Sequence, residues 1–458
     1  MRRHPQLRRS SGARQKRPAD GGLPPEATGF LAAWQQLLGG EFTPALGKRR
    51  GCKPRVPLTQ LLPAFIFHFM NGAGTLAQHF LQLFDARLAD SSWAERRARL
   101  PWEVFAELLR RALRPRATRR RQPEAFWRGW RLLALDATQF SLTNTPQINR
   151  LVKKAKSRRG RAAFAKLTVD VLLEVGLHNP LAAALGRQGQ SEWELARGLL
   201  GQLPKGALLL ADRLHGCAAF AAEALTACTR VGSHFLIRAR SNIKATVVRR
   251  FKDGSRRVRL PVRKKGNPNR ILHWIEVREI RVRVGRKGHR SQELRLWTSL
   301  LDWQTSPARE LAALYAQRWE HELYYRELKR SLRKGEVLQS HTLETAAQEI
   351  AALVLCSALV AAERARAAAG QRPVLRVSFV KVLELLRPLW LTLALGEDLL
   401  SERQKDQLVR RFYDHMGRCV TAPRRSRTCP RAVRQPVSSW PRLLRNESIQ
   451  GPLHFQLL

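Results

Sequence analysis

Cysteine is scarce. The chain has six in 458 residues, Cys52, Cys217, Cys228, Cys356, Cys419 and Cys429, and no CxxC pair. That spacing argues against a zinc module or a disulfide framework and predicts a reducing compartment. Long apolar runs are missing too. The best, Ile350 to Ala362, is too short to cross a bilayer and suits a buried helix. The opening segment MRRHPQLRRSSGARQKRPAD holds no apolar stretch of the secretory kind. It reads as a basic arm, disordered alone and ordered on a polyanion. There is no Walker-type phosphate loop, no HExxH pair and no internal repeat.

Acidic residues are the most telling shortage. Asp and Glu number 36 against 83 Lys and Arg, a formal net charge of +47. Such an excess calls for a polyanionic partner, because each phosphate neutralised on a nucleic acid releases counterions. Ribosomal, histone-like and membrane-surface proteins share the charge. A 44% hydrophobic composition at this length supports a large buried core, which histone-like packers lack. The preference for Arg over Lys is also what a GC-rich genome produces, so not every Arg is a contact.

The hydropathy pattern divides the chain. After the arm (1–28), residues 29–120 read as helical, with LTQLLPAFIFHFM and PWEVFAELLRRALR showing helical spacing. From 121 to 240 strands and helices alternate. RLLALDATQF, KLTVDVLLEV and PLAAALG are strands, SEWELARGLLGQL a helix, GALLLADR a strand, GCAAFAAEALTACTRV a helix and SHFLIRAR a strand. Residues 241–292 form a basic, β-rich insertion with turns at FKDGS and KGNPN. Residues 293–370 return to the core through ELRLWTSLLD and then one long helical region. Residues 371–458 hold further helices and a basic tail. This is an α/β protein with a mixed sheet.

Asp136 and Asp212 each end an apolar run. Strand carboxyl ends in α/β sheets are where ligands gather, although either Asp alone reads equally as a solvated loop residue. Carboxylates repel phosphate unless cations lie between them. Mg²⁺ binds through one or two carboxylates plus phosphate oxygens, and two such ions serve an in-line phosphoryl displacement. A third acid is then expected elsewhere. YAQRWEHELYYRELK offers Glu322, with Tyr315, Arg318 and Lys329 at offsets that keep all four on one face of an unbroken helix. Arg318 and Lys329 suit phosphates, and Tyr315 suits a phosphate or a base. Ala312, Ala316, Trp319 and Leu323 form the neighbouring apolar stripe. On spacing alone, a solvated charged face with an Arg318–Glu322 pair fits equally well. His215 either approaches the acids or packs a helix start, and Asp170 and Glu174 read as structural.

These motifs resemble the insertion-sequence-four family of DDE transposases. Its signature is Tyr, two residues, Arg, three residues, Glu, six residues, Lys, and Tyr315, Arg318, Glu322 and Lys329 match it without a gap. LLALDATQF and LLLADR resemble its two Asp strands, HFLIRAR the strand after them, and LQSHTLETAAQEI the segment after the signature. His321 departs from the apolar residue common before the Glu. The resemblance implies a ribonuclease-H-like core interrupted by a β-rich insertion, with Asp136, Asp212 and Glu322 as catalytic residues and as ligands of two Mg²⁺, Mn²⁺ substituting. It implies cut-and-paste transposition: cleavage at transposon ends, then strand transfer to target DNA. Tyr315, Arg318 and Lys329 would hold end phosphates. Trp274 is a candidate for a flipped base, though a sheet-packing role competes. The expected partners are inverted-repeat ends, target DNA and a second copy in a synaptic homodimer, with no membrane, in a bacterial cytoplasm at the nucleoid. Residues 29–120 are the candidate for end recognition and the last stretch for dimerisation. The alternatives are a plain nuclease on the same core and a domesticated, inactive DNA-binding relative.

Overall fold

The computed structural model describes residues 29–44, 56–157, 160–285, 292–333, 335–422 and 454–457. The arm of 1–28, most of the basic tail, and Cys52 and Cys429 lie outside the described residues.

Five helices open the described chain: α1 Phe30–Leu38, α2 Leu58–Met70, α3 Leu76–Phe84, α4 Asp90–Ala98 and α5 Trp102–Ala112. In α5 the buried residues Val104, Phe105, Leu108, Leu109 and Ala112 recur at helical spacing, so one face enters the core while Arg110 and Arg111 stay outside it. Strands β1 Phe126–Trp127 and β2 Trp130–Ser141 follow, then α6 Pro146–Leu151 and the short pair β3 Lys156–Ser157 and β4 Gly160–Arg161. The core continues with β5 Lys166–Glu174, β6 Asn179–Leu185, α7 Glu192–Leu200, β7 Ala207–Ala211, α8 Ala218–Arg230 and β8 His234–Arg238. Next come β9 Thr246–Arg250, β10 Arg256–Lys264, β11 Asn267–Gly285 and β12 Gln292–Thr298. The remaining helices are α9 Ala308–Tyr315, α10 Trp319–Arg326, α11 Leu343–Ala368, α12 Phe379–Leu395 and α13 Glu402–Arg418, before a last strand, β13 His454–Leu457.

One mixed sheet organises the α/β half, in the order β6-β5-β2-β7-β8-β12-β11-β10-β9. The β2–β7 and β7–β8 pairs are parallel, and the β2–β5 and β5–β6 pairs antiparallel. The apolar runs of β2 and β7 are continuous because both faces are covered. Leu133, Leu135, Leu209 and Ala211 pack toward α7 and α8. Leu132, Ala134, Leu208 and Leu210 pack on the other face with Leu311, Ala312 and Tyr315 of α9. The β-rich insertion extends this same sheet: β12 pairs with β8, β11 with β12 and β10 with β11. It is an outgrowth of the core edge, and β13 adds to β11.

The helical half is built around α11. Thr342 caps it by accepting from the Thr345 N–H, and almost every residue from Ala346 to Ala361 is buried. At 26 residues it is long and apolar enough to cross a bilayer, unlike the shorter stretch legible in the sequence. Yet 89% of its most apolar window lies inside the fold, packed by α1, α2, α5, α12 and α13. It is a core helix.

Candidate active site

The first acid does not end its strand. β2 runs on to Ser141, so Asp136 sits within it, which corrects the reading of an apolar run that stops at an acid. Its parallel neighbour β7, however, ends where Ala211 pairs with Leu135. Asp136 therefore stands at the lip where the parallel pairing stops, and Asp212 stands one residue beyond the end of β7. The loop after Asp212 turns sharply at Gly216. A Cβ there would collide with the Arg238 carbonyl, so only glycine fits.

The long helical region expected to carry the third acid is broken. After α9 comes a tight 3₁₀ turn at Ala316–Arg318, then α10, then a π turn at Glu327–Leu332. The four-residue stripe splits accordingly. Tyr315 turns to the sheet, is buried, and donates its hydroxyl to the Ala211 carbonyl at 3.2 Å. Arg318, Glu322 and Lys329 line a cleft of about 500 Å³ together with Asp136 and Asp212. The apolar stripe is corrected too. Ala312 is buried, but Ala316 is exposed and Trp319 and Leu323 are half-buried. Tyr324, Tyr325, Leu328 and Leu332 are buried instead.

The side chains meet closely. The Arg318 guanidinium donates to Asp136 Oδ2 at 3.1 Å and to Glu322 Oε1 at 3.0 Å, joining strand acid to helix acid. Both the i,i+4 pair and the shared cleft are therefore present. Asp136 also accepts from the Ala137 N–H at 3.0 Å, while the Tyr325 hydroxyl holds its carbonyl at 2.5 Å. Asp212 accepts from the Leu214 N–H at 2.7 Å and pairs with His215 Nδ1 at 3.1 Å. His215 is fully buried against Phe220 and so orients Asp212 from behind. Lys329 donates to the Gln139 carbonyl at 2.8 Å and lies over the Phe140 ring.

The electrostatics follow from this packing. Burial pushes the Asp136 carboxyl up to about 6, with Arg318 pulling against it and Asp212 adding to it. Burial also works against the Asp212 carboxylate, but His215 and the Leu214 N–H outweigh it and hold it below its usual range. Burial, aided by repulsion from Arg333 and Lys166, lowers Lys329 to about 8. Asp170, opposite Ala137 on β5, is fully buried, and neither carboxylate oxygen has a hydrogen-bond partner among the described residues. Burial, with Glu192 and Asp136 nearby, drives it well above the ordinary value. Glu174 is structural: it takes the Arg116 and Ala117 N–H groups and pairs with Arg131. His321 donates to the Val171 carbonyl at 2.8 Å, and burial lowers it to about 3, so it packs α10 as a neutral ring.

Trp274 lies on β11 opposite Pro261, half exposed, and does not line the cleft. Sequence reasoning missed Tyr325, whose place in a Tyr–Tyr pair carries no spacing signal. It also missed the double contact of Arg318, which depends on the distance between β2 and α10.

Residues 127–359 match the family model described as the transposase DDE domain. Over 328 residues the chain is 26% identical to the transposase InsG for insertion sequence element IS4 of Escherichia coli (strain K12), covering 70% of this chain and 71% of that protein. Among solved structures, a piggyBac transposase synaptic complex with hairpin DNA aligns at a TM-score of 0.43 and 9% identity, over 84% of this chain and 82% of that one.

Proposed function

Because the chain belongs to the transposase DDE domain family and is a DNA transposase, we propose that Asp136, Asp212 and Glu322 are its catalytic acids and that it moves an insertion sequence by cut-and-paste. The observation that carries this reading is the convergence of the three acids on one cleft, two of them already bridged by a cationic side chain. We read the β6-β5-β2-β7-β8 block, antiparallel then parallel, as a ribonuclease-H-like core interrupted by the β9–β11 insertion.

The family uses divalent metal ions. The donor set fits them in chemistry, although among the described residues no three His, Cys, Asp or Glu side chains are grouped closely enough to hold one ion as they stand. Three carboxylates give hard oxygen ligands, and the Arg318 guanidinium between Asp136 and Glu322 marks the place as one that takes positive charge. Asp136, Asp212 and Glu322 would hold two Mg²⁺, or Mn²⁺. When bound, such ions supply charge stabilisation for the attacking and leaving oxygens of an in-line displacement. The protein's own groups do the rest. His215 fixes the Asp212 carboxylate, and the Tyr325 and Tyr315 hydroxyls pin the backbone at Asp136 and Ala211. Arg318, released from the acids, presents a planar fork to an end phosphate, and Lys329 presents a point charge beside it. Tyr315 thus acts on DNA through the backbone it holds. Transposon ends and target DNA are the partners, with a second copy completing a synaptic dimer. Trp274, exposed on the insertion, is available to a base.

The test is single-turnover cleavage of DNA carrying the element's flanking inverted repeat, with Mg²⁺, by the wild type and by Glu322→Gln. Cleavage at the repeat end by the wild type alone, with DNA binding retained in the variant, is expected. Equal cleavage by both proteins would remove Glu322 from the site.

A further inference from the structure

A second cleft, of about 520 Å³, opens where the last turn of α11 meets α13. Arg366, Arg372, Arg410, Arg411 and Arg418 line it, and Asp414 is the only acid among its described lining residues. Two of these arginines are partly answered. Arg366 donates to Glu363 and lies over the Tyr413 ring, and Arg418 pairs with Asp414 at the surface. No ion pair joins Arg372, Arg410 or Arg411 to an acid among the described residues. Outside the cleft, the backbone of the turn that holds the exposed Arg120 and Arg121 passes beside Gly370, and Glu124 in the same segment accepts from the Val374 N–H at 3.1 Å. Two separate stretches of chain, the end of α11 with the turn after it and α13, thus bring arginine to one concavity. The cleft shares no lining residue with the catalytic one.

Gathering like charges costs stability unless a counter-charge repays it. Among the described residues no acid pairs with Arg372, Arg410 or Arg411 to do so. Guanidinium forks match phosphate oxygens bidentately, and a concave row of them suits a backbone carrying a charge about every 1.7 Å. We propose that this cleft is a second duplex-DNA site, gripping backbone phosphates away from the catalytic acids. The proposal rests on the reading of the chain as a DNA transposase. It adds that the C-terminal helices are part of the DNA-binding surface.

The test uses full-length Glu322→Gln protein as the parent, so that binding is read without cleavage. Affinity for a duplex of about 60 base pairs is measured by fluorescence anisotropy across salt concentrations. Log affinity falls with log salt by about 0.9 per phosphate neutralised. The triple variant Arg372→Ala, Arg410→Ala, Arg411→Ala should flatten that slope by about 2 to 3. Arg411→Ala alone, the milder change, should flatten it by about 1. A control removes three exposed arginines on other elements, Arg87→Ala, Arg230→Ala, Arg309→Ala, and should keep the parent slope. A cleft variant whose slope matches the parent or the control would overturn the proposal, whatever the cleavage assay says of Glu322. An acidic-protein ligand would give that same unchanged slope.

Discussion

At the scale of single residues, Arg318 decides what state the free protein occupies. It is half-buried, it contacts Asp136 and Glu322 at once, and any divalent cation shared by those acids must displace it. Charge-assisted hydrogen bonds of this kind are worth about 1.5 to 3 kcal/mol when desolvated. The exposure of Glu322 discounts its half of the bridge. Arg318→Ala should therefore tighten Mn²⁺ binding in the absence of DNA by about tenfold, equivalent to about 1.4 kcal/mol. The same variant should lose end cleavage, since the fork that would meet the phosphate is gone. Titration by electron paramagnetic resonance reads free Mn²⁺ directly. Unchanged or weaker binding in the variant would mean that the guanidinium helps to assemble the metal site and does not compete for it.

At the scale of elements, the turn between β5 and β6 locks the helix that carries Glu322. His178 takes a left-handed conformation, with φ of 54°, which costs a non-glycine residue. It is buried, with Nε2 on Glu320 at 3.0 Å and Nδ1 on Glu327 at 2.7 Å, one on α10 and one at the start of the π turn. Burial opposes its charge, but Glu327 and Glu320 outweigh that and raise its pKa above the ordinary value. A raised folded pKa gives stability that is fully present below the unfolded pKa, about 6.5, and lost as pH rises through the folded one. The melting temperature of the wild type should fall more steeply as pH rises above about 6.5 than that of His178→Asn, which also tolerates the backbone. Parallel pH profiles would show that the clamp carries no net charge. This element also shows where the sequence was legible and where it was not. The strands around Asp136 and Asp212 were readable because burial on both faces demands unbroken apolar runs. That Glu322 shares a cleft with those two acids was anticipated from a spacing motif that survives in one dimension. The 3₁₀ and π turns were not, because they answer to tertiary partners: Tyr315 on Ala211, His178 on Glu320 and Glu327. The strand RLLALDATQF reads past Asp136, but its apolar run stops there, and what holds the remainder in the sheet is pairing with β5, from Ala137↔Asp170 to Ser141↔Lys166.

At the scale of the whole molecule, the net charge of +47 sets two opposing responses to salt. Without DNA, positive charges repel one another over roughly a Debye length, about 10 Å at 0.1 M salt. The local ion pairs are mostly short-range contacts at the surface, such as Arg99–Glu95 and Arg418–Asp414, and contribute little each. Screening should then relieve more repulsion than it removes attraction, and the melting temperature of the free protein should rise with salt. A bound duplex neutralises the same charges. At a concentration one hundred times its Kd it stabilises the fold by about 2.7 kcal/mol. Added salt releases that duplex, so the gain should shrink as salt rises. Thermal melts with and without duplex DNA should start far apart at low salt and converge at high salt, the free curve climbing and the bound curve falling. A free-protein melting temperature that drops with salt would show that the networks around Glu279 and Asp253, where Arg295 and Arg278 are paired in half-buried or buried positions and Arg281 joins from the surface, outweigh the global repulsion.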